Sequence, residues 1–149
     1  MPTRIARLDQ APASSWTPTV RPEWFAGRRE AWLGKAVGLT QFGVNHLILA
    51  PGAYSSLRHW HEQEDEFAYV LSGEAILIDD QGEHVLRVGD YAGFPAGEAN
   101  GHHLANRSGA DAVLLVVGSR HRGTETLHYP DEADPGPFRV TRDGRGERA

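Results

Sequence analysis

The sequence predicts an all-β fold, a barrel or sandwich of short strands with an irregular N-terminal arm, and three observations carry that expectation. Seventeen Gly and nine Pro fall within 149 residues, and both residue types break helices and mark tight turns. Six runs rich in Val, Ile, Leu and aromatic residues follow one another at close spacing through the middle of the chain. Each interval between runs holds turn chemistry, for example Pro51-Gly52, Ser72-Gly73, Gly89-Asp90, Pro95-Ala96-Gly97 and Ser108-Gly109.

Residues 1–40 come first, where Pro12, Pro18 and Pro22 interrupt any periodicity and Trp16, Trp24, Phe25 and Trp32 stand as scattered anchors. An arm draped over the barrel is expected, or one packing on a partner subunit, with a single helical turn over 22–27 that Pro22 can start. The barrel spans 41–118, with strands at 42–50, 67–71, 75–78, 84–88, 102–106 and 112–117. In the first strand both alternating sets, Val44/His46/Ile48 and Asn45/Leu47/Leu49, are largely apolar, so a second sheet or a second subunit should lie over it. Residues 119–149 form a polar extension, with short strands expected near 125–129 and 138–141, a turn at Asp134-Pro135-Gly136, and a solvated tail over 139–149.

Hydrophobic residues make up 40% of the chain and charged residues 23%, the balance of a globular protein and not of a disordered or fibrous one. The longest apolar stretch, 112–117, is too short to span a bilayer. Arg4 and Arg7 interrupt the region where a secretory signal would carry a continuous apolar core. No membrane association and a cytoplasmic location are expected. The absence of cysteine excludes disulfides, thiolate metal sites, iron–sulfur clusters and a Cys nucleophile, so any metal must be held by nitrogen and oxygen. A net charge of −5 disfavours nucleic acid as a partner.

The chemistry-bearing residues lie in two segments. In the first, His59 and His61 can face one ion only if the backbone there is extended, because residues two apart share a face on a strand and diverge on a helix. Glu66 has the wrong parity for one unbroken strand, but the acidic run 62–65 reads as a solvated loop that resets the alternation before a new strand. Three donors can then converge. The second segment offers the adjacent pair His102 and His103. His103 shares its face with Arg107, whose charge belongs in water, so His102 is assigned to the interior and His103 is the alternative.

These residues resemble the cupin superfamily. Gly52, His59, His61, Glu66 and Gly73 follow its first motif, with six residues instead of five between Gly52 and His59. Gly89, Pro95, Gly97, His102 and Asn106 follow its second, with four residues instead of two between Gly97 and His102. The 15 residues between Gly73 and Gly89 suit the compact single-domain bacterial members. The resemblance implies a double-stranded β-helix, the jelly-roll barrel of the cupins, a homodimer, and a metal held by three His and one Glu.

Imidazole and carboxylate donors suit one divalent transition metal per chain, and Zn, Fe, Mn, Ni, Co and Cu are all compatible with them. Four protein ligands leave open positions for water, oxygen or a substrate. The expectation is a metal-dependent enzyme acting on a small molecule in the barrel, as an isomerase, lyase, decarboxylase or dioxygenase. The alternatives are a non-catalytic ligand-binding or sensor protein and a metal-stabilised structural module. Tyr54, Ser55, Tyr69, Phe94 and Asn106 are candidates to line the pocket, while His46, His84, His121 and His128 are expected to be structural or superficial.

Overall fold

Strand alternation decides which side chains form the core. In the computed structural model, which describes residues 2–121, 123, 125–133, 138–140 and 146–148, the chain runs through β1 (Arg28–Trp32), a one-turn helix α1 (Leu33–Ala36), β2 (Phe42–Leu49), β3 (Trp60–His61), β4 (Glu66–Ser72), β5 (Glu74–Asp79) and β6 (Gly82–Arg87). It continues through β7 (Tyr91–Phe94), β8 (His103–Ala105), β9 (Ala112–Ser119), β10 (Thr126–His128), β11 (Phe138–Val140) and β12 (Gly146–Arg148). One sheet has the order β1-β2-β9-β4-β7, a second β6-β5-β8 and a third β12-β11-β10-β3. Isolated antiparallel bridges join Tyr54 to Ala105 of β8, and His59, just before β3, to His102, just before β8.

Leu47 and Leu49 of β2, Ala68 and Val70 of β4, and Ala112 and Leu114 of β9 enter the core from the first sheet; Ala75, Leu77 and Leu104 meet them from the second. Each set recurs every second residue, as a half-buried strand requires. The two walls close on one core as a jelly roll, the fold class expected from the sequence. Gly73 shows why a turn residue can be obligatory: its φ is +74°, and a Cβ there would lie 2.3 Å from the Asp111 carbonyl oxygen.

Several local features differ from the sequence expectation. Within the N-terminal region, Pro22–Phe25 does form a 3-10 turn with Pro at its start, but Arg28–Trp32 is a full edge strand paired along β2. Its alternation is blurred because four of its five residues are partly buried. The outer set of β2, Val44, His46 and Ile48, is half-buried, and Val44 and His46 line a groove with Leu8, Leu33 and Leu39 from the arm and from around α1. In the extension, Gly146–Arg148 pairs with Phe138–Val140 instead of running as a solvated tail, because strand pairing satisfies backbone groups whatever the side-chain polarity. The expected turn at 134–136 and residue 141 lie outside the described residues. Among the described residues, no helix is long and apolar enough to cross a membrane.

Candidate metal centre

His59 and His102 meet first through their backbones. The His59 N–H donates to the His102 carbonyl at 3.2 Å, and the His102 N–H to the His59 carbonyl at 2.9 Å. Residues directly opposite in an antiparallel pair project from the same face, and the two rings lie 4.9 Å apart. His61, two residues on, shares that face, with its ring 5.0 Å from that of His59. The bend at 62–65 ends β3, and Glu66 opens β4 in the alternation that also sends Ala68 and Val70 inward. Phe94, the register partner of Glu66 on β7, stacks on His102 at 3.6 Å and holds its ring plane.

Four donors then converge. Glu66 Oε2 lies 2.6 Å from His102 Nε2 and 3.2 Å from His59 Nε2, while Oε1 lies 3.2 Å from His61 Nε2. Ligands at ~2.1 Å from a shared ion stand about 3.0–3.4 Å from one another, so the two 3.2 Å separations match a coordination shell, while His102 stands at hydrogen-bond distance from Glu66. Donor atoms of His59, His61 and Glu66 all lie within 4.8 Å of one another. The His59, His61 and His102 side chains are 11%, 9% and 7% exposed. Nδ1 of His59 donates to the Leu57 carbonyl at 2.9 Å, and Nδ1 of His102 to the Asn100 carbonyl at 3.0 Å. A carbonyl only accepts, so Nδ1 of each ring carries a proton, and Nε2, which faces the Glu66 carboxylate, is the nitrogen left for a metal. His61 differs: both its ring nitrogens are buried and neither makes a well-formed hydrogen bond. A buried nitrogen left in that condition fits a ligand position that an ion completes.

The electrostatics agree. Burial opposes the charge on Glu66, but His59, His102 and His61 outweigh it and hold the carboxyl well below its usual range. Glu66 is therefore a carboxylate, the form a metal needs. Burial also opposes charge on His61, yet Glu66, Glu64 and Glu125 together raise its pKa.

The cluster opens into a cavity of about 320 Å³, the size of a small-molecule site. Ser55 and Phe94 line it. The other three pocket candidates are placed elsewhere: Tyr54 stacks on Trp24 at 4.3 Å, Tyr69 turns to the opposite face of β4 beside Tyr91, and Asn106 is buried in a backbone clasp. Of the adjacent histidines, His102 joins the cluster. His103 is buried too, with Nδ1 2.9 Å from the Ser56 carbonyl and its ring beside Tyr54, and its burial lowers its pKa. Arg107, of the same parity as His103, is exposed and paired with Glu83. His84 pairs with Asp79 and His128 stacks on Trp60, both outside the cluster.

Tyr129, from the extension, lines the same cavity with its ring 6.1 Å from that of His59. Burial, and then the Glu66 charge, push its phenol up to about 12, so it remains a hydrogen-bond donor. An unfolded tyrosine titrates near ~10. Between the two values the folded chain holds a proton that the unfolded chain has lost, so stability falls as pH rises through that window. The urea midpoint is expected to fall more steeply from about pH 10 to about pH 12 in the native protein than in Tyr129→Phe; parallel profiles would remove Tyr129 from this role.

Sequence reasoning missed two carboxylates. Glu125, just before β10, has no exposed surface, and its two oxygens accept the backbone N–H groups of Glu62 and Gln63, each at 2.9 Å. Glu64 turns inward instead of into solvent: Oε1 accepts the His121 N–H at 2.8 Å, and Oε2 lies 3.6 Å from His61 Nδ1. Burial raises its pKa. Donor atoms of His61, Glu64 and Glu125 all lie within 4.8 Å of one another. The one trace in the sequence is that Glu125 opens one of the expected short strands.

Comparison with known proteins follows the same lines. Residues 45–118 match the family model described as a cupin domain. A structure described as a sugar phosphate isomerase of the cupin superfamily from Silicibacter pomeroyi DSS-3 is 42% identical, with 97% of this chain and 92% of that chain covered and a TM-score of 0.85. A protein from Acidithiobacillus ferrooxidans ATCC 23270, proposed to be a sugar phosphate isomerase, is 31% identical over 80% of this chain and 74% of that chain, with a TM-score of 0.73. A cupin 2 conserved barrel domain protein from Salinispora arenicola CNS-205 shares the fold at 21% identity, with 80% and 91% of the two chains covered and a TM-score of 0.61. No functionally curated protein matches the chain.

Proposed function

The chain belongs to the cupin superfamily, and from that membership we propose that it is a metal-dependent enzyme acting on a small polar molecule in the barrel. One observation carries the reading: the Nε2 atoms of three histidines surround the Glu66 carboxylate at the wall of an open cavity. His59, His61, Glu66 and His102 would hold one divalent transition metal. When bound, such an ion supplies Lewis acidity toward a carbonyl or hydroxyl oxygen.

Isomerisation of a small sugar phosphate is the finer proposal, supported by the description of the 42% identical relative. Such a reaction moves one proton between adjacent carbons and a second between the oxygens those carbons carry, and it is neutral in electrons. Apart from Glu66, Glu30 is the one carboxylate among the described residues that line the cavity. It accepts from Arg28 Nη2 at 2.8 Å and Trp32 Nε1 at 3.1 Å, which fix its plane. Glu30 would take the proton from one carbon and return it to the next, while Tyr129 donates a hydrogen bond to a substrate oxygen. Arg28 also donates to the Ser55 carbonyl at 2.6 Å and lies over Trp16, so the arm helps to shape this side of the cavity.

Elemental analysis of protein prepared without a histidine tag should find near-stoichiometric divalent metal. Incubation with aldose and ketose phosphates in deuterated water should then exchange the hydrogen next to the carbonyl. Substrate binding with no exchange, whichever of the six metals is supplied, would replace the enzyme reading with a ligand-binding or sensor role.

A further inference from the structure

We infer that Glu125, outside both metal-binding motifs, is a positioning residue that holds the His61 proton on Nδ1 and so presents Nε2 to the ion. The inference rests on the metal reading of His59, His61, Glu66 and His102.

For His59 and His102 a main-chain carbonyl takes the Nδ1 proton. His61 has no such carbonyl. Its Nδ1 faces Glu125 Oε1 at 3.3 Å and, farther off, Glu64 Oε2 at 3.6 Å. The angle at Glu125 is not that of a finished hydrogen bond, and an imidazole drawn onto an ion through Nε2 has only a small rotation to make. A carboxylate offers about four acceptor sites, and the two N–H groups from Glu62 and Gln63 use only part of them.

Placement supports the role. Leu127 of β10 is the register partner of His61 on β3, so the chain that carries Glu125 is bonded to the strand that carries the ligand. Arg58, next to His59, forks onto Asp131 with two bonds of 2.7 Å and donates to the Gly101 carbonyl at 3.1 Å. A Cβ at Gly101 would lie 2.7 Å from Pro130. The extension is thus clamped across both ligand segments. A fully buried carboxylate is costly to keep unless it is paired and hydrogen-bonded. The loop N–H groups supply part of that compensation, and an imidazole N–H supplies the rest. Outer partners of this kind also raise ligand basicity.

The test compares the full-length native chain with Glu125→Gln and Glu64→Gln, using Zn²⁺ in competition with a chromophoric chelator and ¹⁵N NMR of the His61 ring. In the zinc-loaded native protein His61 should carry its proton on Nδ1 and bind through Nε2. Glu125→Gln should bind Zn²⁺ about 10–100-fold more weakly and, in the metal-free state at alkaline pH, should shift His61 away from the Nδ1–H tautomer. Glu64→Gln should do neither. A role confined to bracing the loop would lower the urea midpoint of Glu125→Gln and leave the tautomer unmoved, which overturns the inference. Zinc on Nδ1 in the native protein overturns it even if the variant does not fold. Two zinc ions per chain, one of them lost in Glu125→Gln, would make His61, Glu64 and Glu125 a separate cation site and overturn it as well. Should the native protein bind no zinc, the metal reading fails on its own, and an unchanged metal-free tautomer in Glu125→Gln remains the result that sinks Glu125.

Discussion

Replacing both His59 and His61 with alanine should weaken divalent-metal binding by about a thousandfold or more and leave the purified protein essentially metal-free. Four-donor zinc sites bind with roughly 10–16 kcal/mol, so two lost donors remove on the order of 5 kcal/mol. The remaining pair, Glu66 and His102, already lie 2.6 Å apart and satisfy each other. Elemental analysis and chelator competition read the loss, with His84→Ala as a control, since His84 pairs with Asp79 outside the cluster. Comparable metal in the double variant and the native protein would refute the site. Because the two side chains lie at the cavity wall and outside the apolar cluster formed by Leu47, Val70 and Leu114, the metal-free variant is expected to fold.

The second large effect belongs to Asn106. Its side chain has no exposure, and every polar atom is used: Nδ2 donates to the Leu49 and Ala110 carbonyls, each at 2.7 Å, and Oδ1 accepts from Ser108 N–H at 2.9 Å and Ser108 Oγ at 2.7 Å. Its backbone N–H and carbonyl pair with Ala53 and Gly52. The end of β2, the 50–53 turn and the 106–110 turn are tied at this one point. Asn106→Leu keeps the volume but removes four hydrogen bonds. The Leu49 carbonyl is left buried, while the exposed Ala110 carbonyl keeps Ser108 Oγ at 3.0 Å, and a buried group without a partner costs about 1–3 kcal/mol. A loss of about 2 kcal/mol or more is expected from urea unfolding of the metal-free protein. A loss below ~1 kcal/mol would mean that water replaces the clasp.

Asn106 matches the second motif, and the sequence leaves it two roles, lining the pocket or stabilising a strand end; the structure places it in the second, locking a turn away from the cavity. Tyr54 and Tyr69, also pocket candidates, are likewise placed elsewhere. Polarity and proximity in sequence suggest a pocket, but the face a strand residue takes is set by register. In β4 the parity that places Glu66 with Ala68 and Val70 necessarily turns Tyr69 away.

Local rules were enough for much of this protein. Turn residues and alternation located six of the barrel strands and missed Tyr91–Phe94, the two-residue spacing of His59 and His61 required an extended backbone, and the acidic bend explained how Glu66 could rejoin them. Those are interactions within a few residues, governed by backbone geometry that each short segment carries with it. What lay beyond reach was every contact set by the pairing of distant strands. The bridge of His59 to His102, the edge strand Arg28–Trp32, the inward turn of Glu64 and the meeting of Glu125 with a loop more than 60 residues earlier all depend on register between separate strands. Periodicity is blind to register: a segment states which of its residues share a face, and only the packed barrel determines what that face will meet.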